Sequence, residues 1–293
     1  QHMHKALTLM NIKVQNVISQ VHGVSGMRII TAIVLGERNA ERLADLCETS
    51  ILKTKRARVV ASLNGNFKQE HIFALKQALS AYDFYQKQMT ECDTQIESLL
   101  TQHTDHLPTP STITPPKNAR HNAPKIDELH TKLMKMTGGN DPSHMTGLSD
   151  KTLLELLAET GTNLEAHWKT EKHFSSWAAL SPTMHQSGKT NKRRKIKKNS
   201  RAGQIFRQAA LSIANSKHSA FSAFYKRLKA KKGFRHALKA TARKLAVIYY
   251  RIMTKGLTFV EQGIALYQQR FKEQQLRLLQ KKAKSLGFQL VQT

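Results

Sequence analysis

Between Glu171 and Glu261 the chain has no carboxylate side chain: residues 172–260 contain neither Asp nor Glu. That absence removes from the stretch the convergent carboxylates that metal-dependent phosphoryl transfer requires. Cysteine is scarce as well. Cys47 and Cys92 are the only two, and neither belongs to a CxxC pair. This argues against a disulfide scaffold or a thiolate zinc site and is consistent with a reducing compartment. No window approaches the roughly 18 apolar residues of a membrane span, and the N-terminus lacks the apolar core of a signal peptide. The reading is a soluble intracellular protein with no membrane partner. P-loop, GxGxxG and HExxH patterns are missing, and no internal repeat is visible. Strand alternation is missing too, the one possible exception being Arg58 to Leu63 (RVVASL), which is too short to found a sheet.

What is present is positive charge. The 293 residues carry 47 Lys and Arg against 20 Asp and Glu, a formal net charge of +27. Such an excess repels itself in the folded state and points to a polyanionic partner. Nucleic acid comes first, because each neutralised phosphate releases condensed counterions, and an anionic membrane surface second. A hydrophobic content of 40% is enough for real cores.

Nearly every segment reads as helix, so the fold class is all-α. Leu7, Met10, Val14, Val17 and Ile18 fall at helical spacing, with Gly23 as a stop. Further helices are expected from Met27 to Leu35, closed by Gly36, and from Asn39 to Cys47. A long one is expected from Lys68 to Thr101, where Ile72, Leu75, Leu79, Tyr82, Tyr85, Met89, Cys92, Ile96 and Leu99 make one stripe. That stripe fits either a coiled-coil arm or a helix packed on its own domain. His103 to Pro124 holds Pro108, Pro110, Pro115, Pro116 and Pro124 and reads as a linker. The organisation expected is a helical region over 1–102, a Pro/Thr-rich linker over 103–124 and a C-terminal domain over 125–293.

In that domain, Lys125 to Met136 reads as helix and Gly138-Gly139-Asn140 as a turn. Met145 to Asp150 (MTGLSD) leads into a helix from Lys151 to Thr160. The Gly turn before a fresh helix start resembles half of a helix-hairpin-helix that offers backbone N–H groups to a phosphate. It is equally an ordinary helix start capped by Ser149 or Asp150. Phe174 to Leu180 is a short apolar helix ending at Ser181-Pro182. His185 to Gly203 is polar and intensely basic and reads as a loop, and helices resume at about 202–216, 220–229, 236–253 and 263–286.

The chemistry concentrates in the loop. Gln186-Ser187-Gly188-Lys189 is followed by Lys192, Arg193, Arg194, Lys195, Lys197, Lys198, Asn199, Arg201 and Arg207. A serine beside a glycine is free to project its hydroxyl. The cations can hold a phosphodiester against it and stabilise charge on the phosphorus oxygens during attack. The competing reading is a solvated nucleic-acid patch with no catalytic serine, since no base other than His185 lies nearby. On the following helices, Arg227, Arg243 and Lys244 belong to a cationic outer face suited to a phosphate backbone. Phe221, Phe224, Tyr225, Tyr249 and their apolar neighbours read as core, with base stacking the alternative.

These blocks together resemble the insertion-sequence transposases of the IS-one-ten type, closest to the IS-eleven-eleven subgroup of bridge-RNA-guided DNA recombinases. The resemblance rests on His4 to Arg38, Glu70 to Tyr85, Met145 to Pro182, QSGK (Gln186 to Lys189), Asn199 to Arg227 and Lys239 to Met253 (KATARKLAVIYYRIM), in the family's order. It implies a helical coiled-coil region followed by a transposase domain whose serine links covalently to DNA; by the QSGK block that serine is Ser187. Asn199 and the cations named above would bind nucleic acid. The family's SGGK reads QSGK here, one Gly fewer, and its TAHKLA reads TARKLA, with Arg243 in the His position. It also implies a ribonuclease-H-like domain bearing four DEDD carboxylates and Mg2+. The match begins after that domain, so no cofactor or metal is expected on this chain, and Gln1 is expected to lie inside a longer protein. The implied partners are DNA, a guide RNA and further copies of the chain, in the bacterial cytoplasm at the nucleoid. The alternatives are a non-catalytic nucleic-acid-binding remnant of such a transposase and a basic helical adaptor for a membrane or an acidic protein.

Overall fold

The computed structural model describes residues 1–113, 115–116, 123–182, 184–187, 190–193, 200–216, 220–256, 269, 273, 276–280 and 283–288. At His144, 184–187, 190–193 and Ala220 it describes the backbone alone. The fold is all-α, and its contacts gather into two compact units, Gln1–Thr94 and Gln95–Thr293.

The first unit contains α1 (His2–Leu9), α2 (Val24–Leu35), α3 (Ala40–Asp45), α4 (Thr49–Leu63) and the first part of α5 (Gln69–Thr104). The pattern from Leu7 to Ile18 is broken. Asn11 takes the left-handed conformation, with φ of 58°, and a single 3-10 turn follows at Val14–Asn16. Asn is one of the few residues that visit this region readily. The Met10 carbonyl released by the break accepts from the Asn66 amide at 2.7 Å. Leu7, Met10, Val14 and Ile18 are nevertheless all buried. Helix α2 ends where Gly36 turns left-handed, and α3 starts where the Asn39 side chain accepts from the amides of Glu41 and Arg42. Arg58 to Leu63, the one stretch that hinted at a strand, is the last part of α4. Val59 and Leu63 are buried one helical turn apart, so the 3.6-residue period overrides local β-propensity.

Helix α5 buries Ile72, Leu75 and Leu79 in this unit. Further along the predicted stripe, Tyr85, Met89 and Leu99 are exposed among the described residues. Near its end, Glu97 accepts from the Asp127 amide at 3.1 Å and from Lys132 Nζ at 3.2 Å.

The second unit continues with α6 (Leu129–Met136), α7 (Asp150–Thr160), α8 (Leu164–His167), α9 (Glu171–Trp177), α10 (Arg201–Ala214), α11 (Ala220–Lys232) and α12 (Phe234–Lys255). Gly138 and Gly139 make the expected turn after α6, both with positive φ. Helix α12 packs against α9, α10 and α11. It buries Ala237, Thr241, Ala242, Leu245, Ala246, Tyr249, Tyr250 and Ile252, a spacing that puts one face inward.

The segment expected as a loop contains a two-stranded antiparallel hairpin, β1 (Met184–Ser187) with β2 (Thr190–Arg193), in the register Met184↔Arg193 to Ser187↔Thr190. Backbone hydrogen bonding forms it. Its residues, MHQS and TNKR, lack the apolar alternation by which a strand is read from sequence. The expected helix over 263–286 falls largely outside the described residues, as do Thr114 and residues 117–122 of the linker.

Candidate nucleic-acid interface

The end of α9 and the start of α10, which flank the hairpin in sequence, meet at one place. Helix α9 stops in a Schellman arrangement: the Leu180 amide donates to the Ser175 carbonyl and the Ala179 amide to that of Ser176, both at 3.0 Å. Ala179 holds the left-handed position, φ 55°, where glycine is usual. On the return side, Ser200 caps α10 by accepting from the Gly203 amide. A Cβ on Gly203 would lie 2.0 Å from the Ala178 carbonyl oxygen, so the start of α10 and the end of α9 touch backbone to backbone. Ser187 ends β1 paired with Thr190, and Gly188 and Lys189 are the two residues between them.

The predicted cations divide into three groups. Lys192 and Arg193 lie on β2. Lys189, Arg194, Lys195, Lys197, Lys198 and Asn199 lie outside the described residues. The rest stand on helices. Arg201 is exposed and pairs with Glu159 at 3.4 Å. Arg207 is half-buried, one turn beyond Gly203. Lys244 Nζ sits 4.3 Å from the centre of the Phe224 ring, and the Arg227 guanidinium is 5.9 Å from the same ring, so two cations gather at one aromatic side chain. Arg243 is half-buried beside Lys244 on α12. Lys226, Lys229, Lys231, Lys232 and Arg235 extend this surface and are all exposed.

The start of α7 answers the question raised by MTGLSD. Ser149 accepts from the Thr152 amide, and Asp150 bonds the His130 ring at 2.9 Å. Gly147 has φ of 91°, and a Cβ there would lie 2.4 Å from Ile213 Cγ1. The turn is pressed against α10, which is the ordinary capped start and not an open phosphate nest.

Sequence reasoning did not single out the aromatic side of this unit. Phe174 is fully buried, with its ring centre 5.7–6.1 Å from those of Phe206, Tyr249 and Tyr250. Trp168 lies 5.1 Å from it edge-on and Trp177 5.9 Å away, stacked. The two indoles are 4.5 Å apart. The Tyr250 hydroxyl donates to the Trp168 carbonyl at 2.5 Å, fixing the loop that carries it. Trp168 and Trp177 open onto a cleft of about 520 Å3 shared with Glu159, Thr160, Gly161 and His167. One signal could have flagged it: the chain has only two Trp, and they stand nine positions apart around Phe174.

Two polar links hold the floor of this side. Thr160 Oγ1 and the Tyr249 hydroxyl are 3.0 Å apart, and burial pushes the Tyr249 phenol up to about 12. Arg251 donates two hydrogen bonds to Glu171, at 2.9 and 2.5 Å, tying α12 to α9. Those bonds hold the Glu171 carboxyl below its ordinary value.

Among the described residues no group of three or more His, Cys, Asp or Glu is placed to hold a metal ion. Also among them, no helix is long and apolar enough to cross a membrane.

Residues 143–226 match the family described as Transposase IS116/IS110/IS902 family. The matched stretch runs from the turn before α7 into α11 and so contains the hairpin, Ser187, Arg201, Arg207 and both tryptophans. The matched residues number 84 of the 293, so the likeness is to part of the chain. No match to the chain is found among curated proteins or among solved structures.

Proposed function

We propose that this chain handles DNA in an RNA-guided transposition reaction and that Ser187 is its nucleophile. In the step proposed, Ser187 Oγ forms a bond to a DNA phosphorus and one phosphorus–oxygen ester bond breaks. The displaced sugar oxygen takes up a proton, and the hydroxyl proton of the serine passes to a base, His185 being the one imidazole near Ser187 in sequence. The broken strand is then held as a phosphoserine ester. The carboxylates and Mg2+ that the resemblance implies belong to a ribonuclease-H-like domain outside these residues. Arg201, Arg207, Arg227, Arg243 and Lys244, with the cations around the hairpin, grip the phosphate backbones of DNA and guide RNA. The exposed stripe of α5 joins copies of the chain.

The observation that carries this reading is the family match across residues 143–226, which includes Ser187 at the end of β1. The absence of Asp and Glu from 172–260 supports it electrostatically: no carboxylate in that stretch repels a phosphate.

The test is an adduct assay. The chain is supplied with the carboxylate-bearing domain, guide RNA and labelled DNA, then denatured in detergent. A protein–DNA adduct that survives denaturation is expected from the wild type and not from Ser187→Ala. An adduct that persists in Ser187→Ala removes the serine from the reaction. Salt-sensitive DNA binding with no adduct from any variant favours the non-catalytic reading.

A further inference from the structure

We propose that the Trp168–Trp177 cleft is a seat for one unpaired base of a DNA strand. This rests on the reading of the chain as a DNA-handling protein and adds the part of the DNA that a basic surface alone does not recognise.

The argument begins with exposure. Trp177 ends α9 with 40% of its surface open to solvent, although a buried partner is within reach. A large apolar ring left in water costs free energy unless it serves a contact, and indole is the best side-chain platform for a flat, polarisable partner. The platform is also rigid. Phe174 backs both indoles, the buried rings of Phe206, Tyr249 and Tyr250 back Phe174, and the Tyr250 hydroxyl holds the Trp168 backbone. Little side-chain entropy remains to be lost when a ring settles on it.

Size and polarity agree. A cleft of about 520 Å3 admits one base with its sugar, and it is open enough for a chain to enter and leave. The Glu159 carboxylate also lines it, and the exposed His167 ring, 5.6 Å from that of Trp168, can meet the edge of a base. The charge of Glu159 does not repel the strand unopposed, because Arg201 pairs with it at 3.4 Å and stays exposed. Exposed Lys169 and Lys172 lie between the two tryptophans in sequence, where they can meet the flanking phosphates. A paired base cannot use the seat, since both its faces are already stacked in the duplex. The seat therefore selects DNA that has been opened.

The chain reports on this site directly, because Trp168 and Trp177 are its only tryptophans. The experiment titrates the full chain with a single-stranded oligodeoxynucleotide, with the same sequence as a blunt duplex, and with the matching oligoribonucleotide. Fluorescence anisotropy of a label on the nucleic acid reads binding, and indole emission reads stacking. The single DNA strand is expected to quench indole emission over the concentration range in which anisotropy rises, while the duplex binds with little quenching. Trp177→Ala is expected to weaken single-strand binding about 5- to 150-fold, the usual range for loss of one stacked base, and to leave duplex binding unchanged. Trp177→Phe, which keeps a ring and its packing, is expected to restore most of the single-strand affinity. Binding of the single strand without quenching overturns the seat and leaves the DNA-handling reading intact, as does equal quenching by duplex. Stronger quenching by RNA overturns the assignment to DNA. If anisotropy detects no binding of any strand, the DNA-handling reading fails and takes the seat with it.

Discussion

The two compact units solve the same packing problem with different materials. The buried residues of Gln1–Thr94 are aliphatic almost throughout: Leu7, Met10, Ile12, Ile29, Ile30, Ile33, Leu43 and Leu63, with no buried aromatic among the described residues. The unit from Gln95 onward buries Phe174, Phe206, Tyr225, Tyr249 and Tyr250. Aromatics make up only 6% of the chain, so the uneven spending is informative. Aliphatic side chains fill a core by shape and leave nothing to aim. Rings with hydroxyls carry hydrogen bonds as well, Tyr249 to Thr160 and Tyr250 to the Trp168 carbonyl, and they order groups outside the core. The aromatic core lies under the cleft and under the helices that hold the hairpin.

The sharpest way to break this contrast is to remove the ring on which the second core turns. Phe174→Ala is expected to cost about 3–5 kcal/mol, seen as a lower denaturation midpoint, and to shift indole emission as both tryptophans lose their backing. An aliphatic truncation in the other unit, Ile30→Ala, is expected to cost about 2–5 kcal/mol and to leave indole emission unchanged.

A second test exploits chemistry that only one core possesses. The Tyr249 phenol is raised by burial from an ordinary 10 to about 12. The folded state disfavours the phenolate, so this group's contribution is fully present below pH 10. It is lost as pH rises from 10 to 12, a change on the order of 2–3 kcal/mol. Denaturant titrations across that range are expected to show the fall in wild type and a shallower one in Tyr249→Phe. An equal fall in the variant would detach the alkaline sensitivity from this residue.

The smallest effect has the opposite sign. Ala179 occupies a left-handed position that glycine fills more cheaply, so Ala179→Gly is expected to stabilise the second unit by about 1 kcal/mol. Thermal melting reads it as a rise of a few degrees.

Much of the helical architecture was legible because its signals are local. Gly36 stops α2, Asn39 caps α3 and Ser149 caps α7, each through groups within a few residues of itself. The break at Asn11 was not legible, because what takes up the freed Met10 carbonyl is Asn66, far along the chain. Nor was the hairpin, since its strands pair through the backbone and carry no apolar alternation. The basic character of the candidate interface could be read residue by residue. The cleft could not: Glu159, Trp168, Trp177 and Arg201 come together only through the packing of α7, α9 and α10.

The backbone contact between Ala178 and Gly203 has a last consequence. It holds the end of α9 against the start of α10, so the chain on either side of residues 181–199 is fixed at one point of the helical unit. Lengthening an insert whose ends are already fixed costs only a slowly growing closure entropy. Substitutions between residues 181 and 199 are thus expected to leave α9, α10 and α12 as they are. Replacing residues 181–199 with a short flexible linker is expected to leave the helical unit folded, as read by thermal melting.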